Sequence, residues 1–233
     1  MDIPTRTSGL KPLFGFVLSG LFVFSSCIYE TETVIPTFET TFTLPVTVTA
    51  TAISTTTETI TVIPTDPLDL SYLIEEDPAL IDNSTLPVTP LDRMHTIGIA
   101  HPIDIDTYRF SVTGLVNNPL SLSYEELKAY PKEDRVVLLI CPYNFADNPM
   151  WTGVPLVSLL ASAGVQAGAK EVLFQSVDGF ELPQPLELAP DILLAYEVDG
   201  QTLPPGHGYP VRAVVKGVSG VYWLRWMTGI IIR

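Results

Sequence analysis

"LLAYEVDGQTLPPGHGYPVR", residues 193–212, decides how the rest of the chain is read. Leu193–Val198 is a mostly apolar run of strand length, and Asp199-Gly200 is a turn pair suited to a tight reversal. A Gly- and Pro-rich loop then carries His207, and "YPVRAVVKG" brings in Arg212 as it reads into another strand. His207, Arg212, Lys216 and Arg225 fall within one short reach of a chain with 12 basic and 26 acidic residues. A local basic cluster against that background is the footprint of an anion site. The plainer reading is strand-end surface charge, with His207 capping a turn.

Working outward, "VYWLRWMTGIIIR" closes the chain as a strand containing Arg225 and Trp226, the latter read as core. Upstream, "KEVLFQSV" reads as a strand. "VPLVSLLASAG" has Leu156, Leu159, Leu160 and Ala163 at helical spacing, with Gly164 as the stop. "RVVLLI" (Arg135–Ile140) is apolar through its centre and is expected as one strand buried on both faces. It delivers Cys141 at its end. "SLSYEELKAYP" predicts a short helix, because Ser123 and Glu126 form a capping box and Pro131 stops it. "YRFSVTGLV" alternates as a strand and breaks at Asn117-Asn118-Pro119. Many strands, a few short helices and no βαβ rhythm predict an α+β domain of mixed sheets.

The charge balance, formally −14, repels phosphate backbones and disfavours nucleic acid as a partner. At the N-terminus, Arg6 and Lys11 precede the apolar run Pro12–Phe24, and Ser25-Ser26-Cys27 follows. That pattern predicts residues 1–27 as a signal peptide ending in a lipid-attached Cys27, as in a bacterial lipobox. A single membrane span is the alternative, although the run is shorter than the ~20 residues a span needs. Thr31–Thr65 contains fifteen threonines in 35 residues, with Pro36, Pro45 and Pro64 among them. It is expected as an extended Thr/Pro-rich tether (28–66), or else a small hairpin, followed by a linker (67–90) and the globular domain (91–233). The expected place is the cell envelope, outside the cytoplasm, anchored to the membrane by the N-terminus.

Taken together, "YRFSVTGLVNNPLSLSYEEL", the strand ending at Cys141, "WTGVPLVSLLASAGV", "SVDGFELPQPLE", "DILLAYEVDGQTLPPGHGYPVRAVVKGVSG" and "WLRWMTGI" resemble the molybdopterin-binding domain of the sulfite oxidase family. That family includes the periplasmic methionine-sulfoxide-reductase-type enzymes. The resemblance covers roughly Leu86 to Arg233 and implies a sulfite-oxidase-like fold holding a molybdenum–molybdopterin cofactor. It implies that Cys141 is the catalytic cysteine and the protein ligand of molybdenum, a soft thiolate suited to a metal already held by dithiolene sulfurs. It further implies that His207, Arg212 and Arg225 bind the phosphate and ring of the pterin. Trp151 and Gly153 match the aromatic and glycine that follow the metal cysteine. Without these neighbours a lone cysteine reads as a core thiol.

The pattern also breaks. Where the family carries an Arg-Asn-His trio after "TP-x-D-R", this chain has Ile97-Gly98-Ile99, flanked by His95 and His101. Tyr222 stands where a basic residue is common, and "PYNFADNPM" after Cys141 lacks the family's usual residues. The lost arginine removes the main electrostatic partner of sulfite. The expected activity is therefore oxygen-atom transfer on a small substrate of S- or N-oxide type, with electrons passing through a separate partner. The alternative is a cofactor-free relative serving as a surface binding or structural module. The same N-terminus lacks a twin arginine, which keeps that alternative open.

Overall fold

The computed structural model describes residues 66–142 and 144–233. The expected signal segment, Cys27 and the Thr-rich tether lie outside the described residues. None of the described helices is long and apolar enough to cross a membrane.

Among the described residues, twelve strands and two α-helices, joined by short 3-10 turns, make an α+β domain of mixed sheets. Six strands and both helices precede the middle of the domain. They are β1 (Phe110–Gly114), β2 (Leu120–Leu122), α1 (Tyr124–Lys128), β3 (Glu133–Val136), β4 (Leu139–Cys141), β5 (Phe145–Asp147), β6 (Met150–Pro155) and α2 (Leu156–Ala163). The rest are β7 (Glu171–Ser176), β8 (Glu181–Pro185), β9 (Ile192–Val198), β10 (Gln201–Thr202), β11 (Arg212–Val215) and β12 (Met227–Ile232). One sheet runs β2-β1-β12-β7-β8, with the last strand of the chain inserted parallel to β1 and antiparallel to β7. The second runs β10-β9-β6-β3, and β11 also pairs with β9. β4 and β5 form a separate hairpin.

β9, which carries the start of "LLAYEVDGQTLPPGHGYPVR", lies at the centre of the second sheet. Ile192, Leu193, Leu194 and Ala195 of β9 are fully buried, as an apolar run flanked by strands on both edges requires. Asp199 and Gly200 take positive φ (50° and 69°), the conformation of a type I′ reversal between β9 and β10. The helix signals also hold. Ser123 and Glu126 form the reciprocal capping box of α1, and Gly164 closes α2 in the left-handed region.

Two expected strands come out differently. Arg135–Ile140 is not one buried strand. Its first part pairs with β6 as the largely exposed β3, whose last partnered residue is Val136 opposite Met150. Val137 then donates its N–H to Pro149 O, and the chain leaves β6 to pair with β5. At the C-terminus "VYWLRW" is the end of a 3-10 turn (Gly220–Tyr222) followed by loop, not strand. Trp226 sits at φ 53°, which breaks extended backbone, so pairing begins only at Met227. The stretch expected as a linker, 67–90, carries 3-10 turns at Ser71–Leu73, Pro78–Leu80 and Asn83–Thr85. Its Leu70 and Leu73 are buried with Leu138, Ile140 and Ala146 in a small second core.

That second core explains how the hairpin is aimed. Side chains alternate along a strand. Leu138 and Ile140 face the small core, so Leu139 and Cys141 face the other way. On the partner strand Ala146 joins the small core, which turns Phe145 and Asp147 to the same side as Cys141. The hairpin thus has one purely apolar face and one that displays a thiol and a carboxylate.

Candidate functional site

A cleft of about 130 Å3 lies over that second face, lined among others by Leu139, Cys141, Phe145, His207, Arg212 and Arg225. The structure therefore brings together the four residues that the sequence nominated within the domain. Lys216, part of the same basic run, lies elsewhere, beside Ala79, Asn83 and Leu138. It is an exposed residue just past β11, and strand alternation with the following turn carries it away from the cleft.

Cys141 is half-buried at the end of β4, opposite Phe145. Asn144 donates its backbone N–H to Cys141 O (3.0 Å), and its side-chain amide lies 3.7 Å from the sulfur. The approach of the opposite wall depends on Gly220. A Cβ there would come within 2.5 Å of Leu139 Cδ1 and 2.9 Å of Ile140 O. Any larger residue would lift that wall off β4.

His207 ends the 3-10 turn Pro205–His207 and is buried. Burial, with Arg212 and Arg225 nearby, pulls its imidazole down to about 4, so it is neutral at physiological pH. Gly208 follows at φ 111°, a conformation that favours glycine. A Cβ there would meet Arg225 Cβ and Cγ at 3.0 Å and Arg212 Cβ at 3.1 Å. The bare glycine is what lets both arginine stems pack against the turn.

Arg212 is a buried cation. Its side chain donates one hydrogen bond from Nη1 to His207 O (3.0 Å) and leaves Nε without a partner. The guanidinium lies over Trp151 (4.8 Å to the ring centroid) and Trp223 (5.7 Å). Burial and the neighbouring Arg225 lower its pKa to about 9, and Asp147 works in the other direction, so it stays cationic at neutral pH. Arg225 is held at the rim by hydrogen bonds to Ile97 O (2.7 Å) and Gly206 O (2.9 Å), stacked on Trp226. Among the described residues neither arginine forms an ion pair with a carboxylate. A buried cation with an orphaned N–H is costly unless an anion answers it. Together with a thiol on the same cleft, this donor set fits an anionic cofactor attached through sulfur chemistry. The volume admits a phosphate or one ring, so a larger ligand also uses the residues of the mouth.

Sequence reasoning passed over one pair. Asp147, inside the unmatched "PYNFADNPM" loop, is 1% exposed and accepts from both the backbone N–H of His95 (2.9 Å) and its Nδ1 (2.9 Å). The His95 ring stacks on Phe145, centroids 5.0 Å apart. The available signal was period two: Phe145 and Asp147 share a face with each other and, across the hairpin, with Cys141. His101, the other histidine flanking Ile97-Gly98-Ile99, packs edge-on against Trp226.

Residues 97–233 match the family model described as the oxidoreductase molybdopterin binding domain. The uncharacterized oxidoreductase YuiH of Bacillus subtilis is 32% identical over 141 residues, covering 59% of this chain and 71% of that protein. Mitochondrial sulfite oxidase of Rattus norvegicus is also 32% identical, over 66% of this chain, but the chain spans only 34% of that protein. The sulfane dehydrogenase SoxCD of Paracoccus pantotrophus shares the fold at a TM-score of 0.54 and 28% identity, covering 57% of this chain and 40% of that one.

Proposed function

Because the chain belongs to the family of oxidoreductases with a molybdopterin-binding domain, we propose that it transfers an oxygen atom between a small S- or N-oxide and the metal of its molybdenum–molybdopterin cofactor. The observation that carries this reading is Arg212, a buried cation with an unpartnered Nε beside the Cys141 cleft. A cofactor-free binding module would have no use for that charge, and burying it would only destabilise the fold.

When bound, the cofactor supplies a two-electron redox centre able to exchange an oxygen atom with substrate. The chain's own groups divide the remaining work. The Cys141 thiolate would hold the metal from the hairpin. Arg212 and Arg225 would hold the anionic end of the cofactor, Arg212 by its free Nε–H and Arg225 from the rim. His207, neutral at physiological pH, would contribute a hydrogen bond rather than charge.

Ile97 supports the choice of substrate class. It lines the cleft and carries no charge at the place where the family resemblance implies the first residue of an Arg-Asn-His trio, so a sulfite dianion would lack that counter-charge. A neutral oxide needs no such counter-charge. The N-terminal pattern supports an envelope protein tethered outside the cytoplasm by lipid on Cys27, and a separate carrier would exchange the electrons. Protein from a molybdenum-replete host, assayed with dimethyl sulfoxide, trimethylamine N-oxide and sulfite, tests the reading. Turnover of an oxide with reduced viologen is expected. Turnover of sulfite alone would overturn the substrate assignment.

A further inference from the structure

The His95–Asp147 pair stands in the same cleft and has no place in cofactor binding as described above. Three features fix it. Asp147 is almost fully buried, and both of its carboxylate oxygens accept from His95, one from the backbone and one from the ring. Phe145 stacks on the imidazole with an interplanar angle of 17°, which sets the ring's orientation. Finally, the ring is outward-facing. The His95 side chain is 61% exposed, and its Nε2 has no hydrogen-bond partner among the described residues.

Because Asp147 accepts at Nδ1, the proton of the neutral ring sits on Nδ1 and Nε2 is the nitrogen left free. In the imidazolium form, Nε2–H is a free donor on a ring that lines the cleft. The charged and titratable groups around the ring come from every side. Asp147 lies beneath it, and Asp69 and the Arg93–Asp66 pair lie on the adjoining N-terminal turns. Cys141, His207, Arg212 and Arg225 line the same cleft.

We propose that His95, oriented by Asp147, is the general acid that protonates the oxygen leaving an S- or N-oxide substrate. This rests on the oxide-reductase reading above. For a sulfoxide the balance is one sulfoxide, two protons and two electrons giving one thioether and one water. The sulfur–oxygen bond breaks and two O–H bonds form. One proton comes from Nε2–H of His95 and one from solvent, and two electrons arrive from a separate reduced carrier. His95 is then reprotonated from solvent, to which its exposed ring has direct access.

The test uses the cofactor-loaded full chain with dimethyl sulfoxide and reduced benzyl viologen. His95→Gln, a change at an exposed ring, is expected to keep wild-type molybdenum content. It should lower kcat by about 100-fold or more, the scale of general-acid assistance. It should also flatten the dependence of kcat on pH that the wild type shows, and imidazole should partly rescue the His95→Gly variant. A readout free of turnover is the 15N NMR tautomer of His95 in the cofactor-free protein. The Nδ1–H form is expected in the wild type and should be lost in Asp147→Asn. Wild-type kcat and pH dependence in His95→Gln, or a neutral Nε2–H tautomer in the wild type, would overturn the role of His95 while leaving the oxide-reductase reading intact. A loaded wild-type protein that reduces neither dimethyl sulfoxide nor trimethylamine N-oxide would instead overturn that reading, and this proposal with it.

Discussion

The Arg212 guanidinium lies 4.8 Å from the ring centroid of Trp151, buried, with its Nε–H unanswered. Trp151 is itself fully buried and anchored by a hydrogen bond from Nε1 to Val137 O (3.2 Å). The aromatic floor is therefore rigid, and it holds the cation in place without neutralising it. Cation–π contact offsets part of the desolvation cost, on the order of 1–2 kcal/mol against several. The remainder is a standing demand for an anion.

Removing that demand gives the first prediction. Arg212→Met should leave the cofactor-free protein as stable as the wild type or raise its Tm by a few degrees, since an unpaired buried charge is exchanged for an apolar chain of similar length. The same variant should purify without bound pterin. Calorimetry of the cofactor-free protein and fluorescence of released pterin measure the two effects separately. Loss of both stability and pterin would mark Arg212 as structural only.

Cys141→Ser should separate metal from fold in the opposite sense. The thiol is half-buried at a strand end, so its loss should cost no more than about 1 kcal/mol. Oxygen-atom transfer should be abolished. Chemical denaturation and an oxide-reduction assay check the pair, and retained turnover would contradict the role given to Cys141.

Gly208→Ala should damage both stability and site. The backbone at φ 111° disfavours any Cβ, and this one would press on both arginine stems at 3.0–3.1 Å. A loss of roughly 1–3 kcal/mol is expected from the strained conformation, with weaker pterin retention because Arg212 and Arg225 must shift. Denaturant midpoints and pterin content of the variant test this.

His207 makes the cofactor-free protein acid-sensitive in a defined window. Its pKa falls from 6.5 unfolded to about 4 folded, so between those values the unfolded chain binds the extra proton. Stability should hold above pH 6.5 and decline as pH drops toward 4, by up to about 3 kcal/mol. Asp147, whose carboxyl is raised by burial, acts with the opposite sign at the lower end of the range. Urea midpoints between pH 7 and 4 should show the slope in the wild type and a shallower one in His207→Gln. Equal slopes would remove His207 as the cause.

Much of this was legible in residue order because the signals were local. The capping box at Ser123, the Gly164 stop and the Asp199-Gly200 turn each depend on two or three neighbours, and all three form as the sequence predicts. The convergence of Cys141 with His207, Arg212 and Arg225 was reachable only through the ordered motifs, since no spacing rule links residues so far apart. What stayed hidden depended on tertiary choice. After Arg135, "VVLLI" is uniformly apolar, and nothing in it shows that Val136 ends one pairing and Leu139 begins another. Lys216 looked equivalent to its basic neighbours until the turn after β11 carried it off. Asp147 stood in a stretch that lacks the family's usual residues, and its meaning came from sharing a strand face with Phe145 and meeting His95.

The central claim is that the Cys141–Arg212 cleft holds a molybdenum–molybdopterin cofactor. The most direct measurement is elemental analysis of full-length protein purified from a molybdenum-replete host, alongside pterin released on denaturation. Close to one molybdenum and one pterin per chain is the result expected, with both absent from Arg212→Met. Wild-type protein free of both metal and pterin would contradict the account.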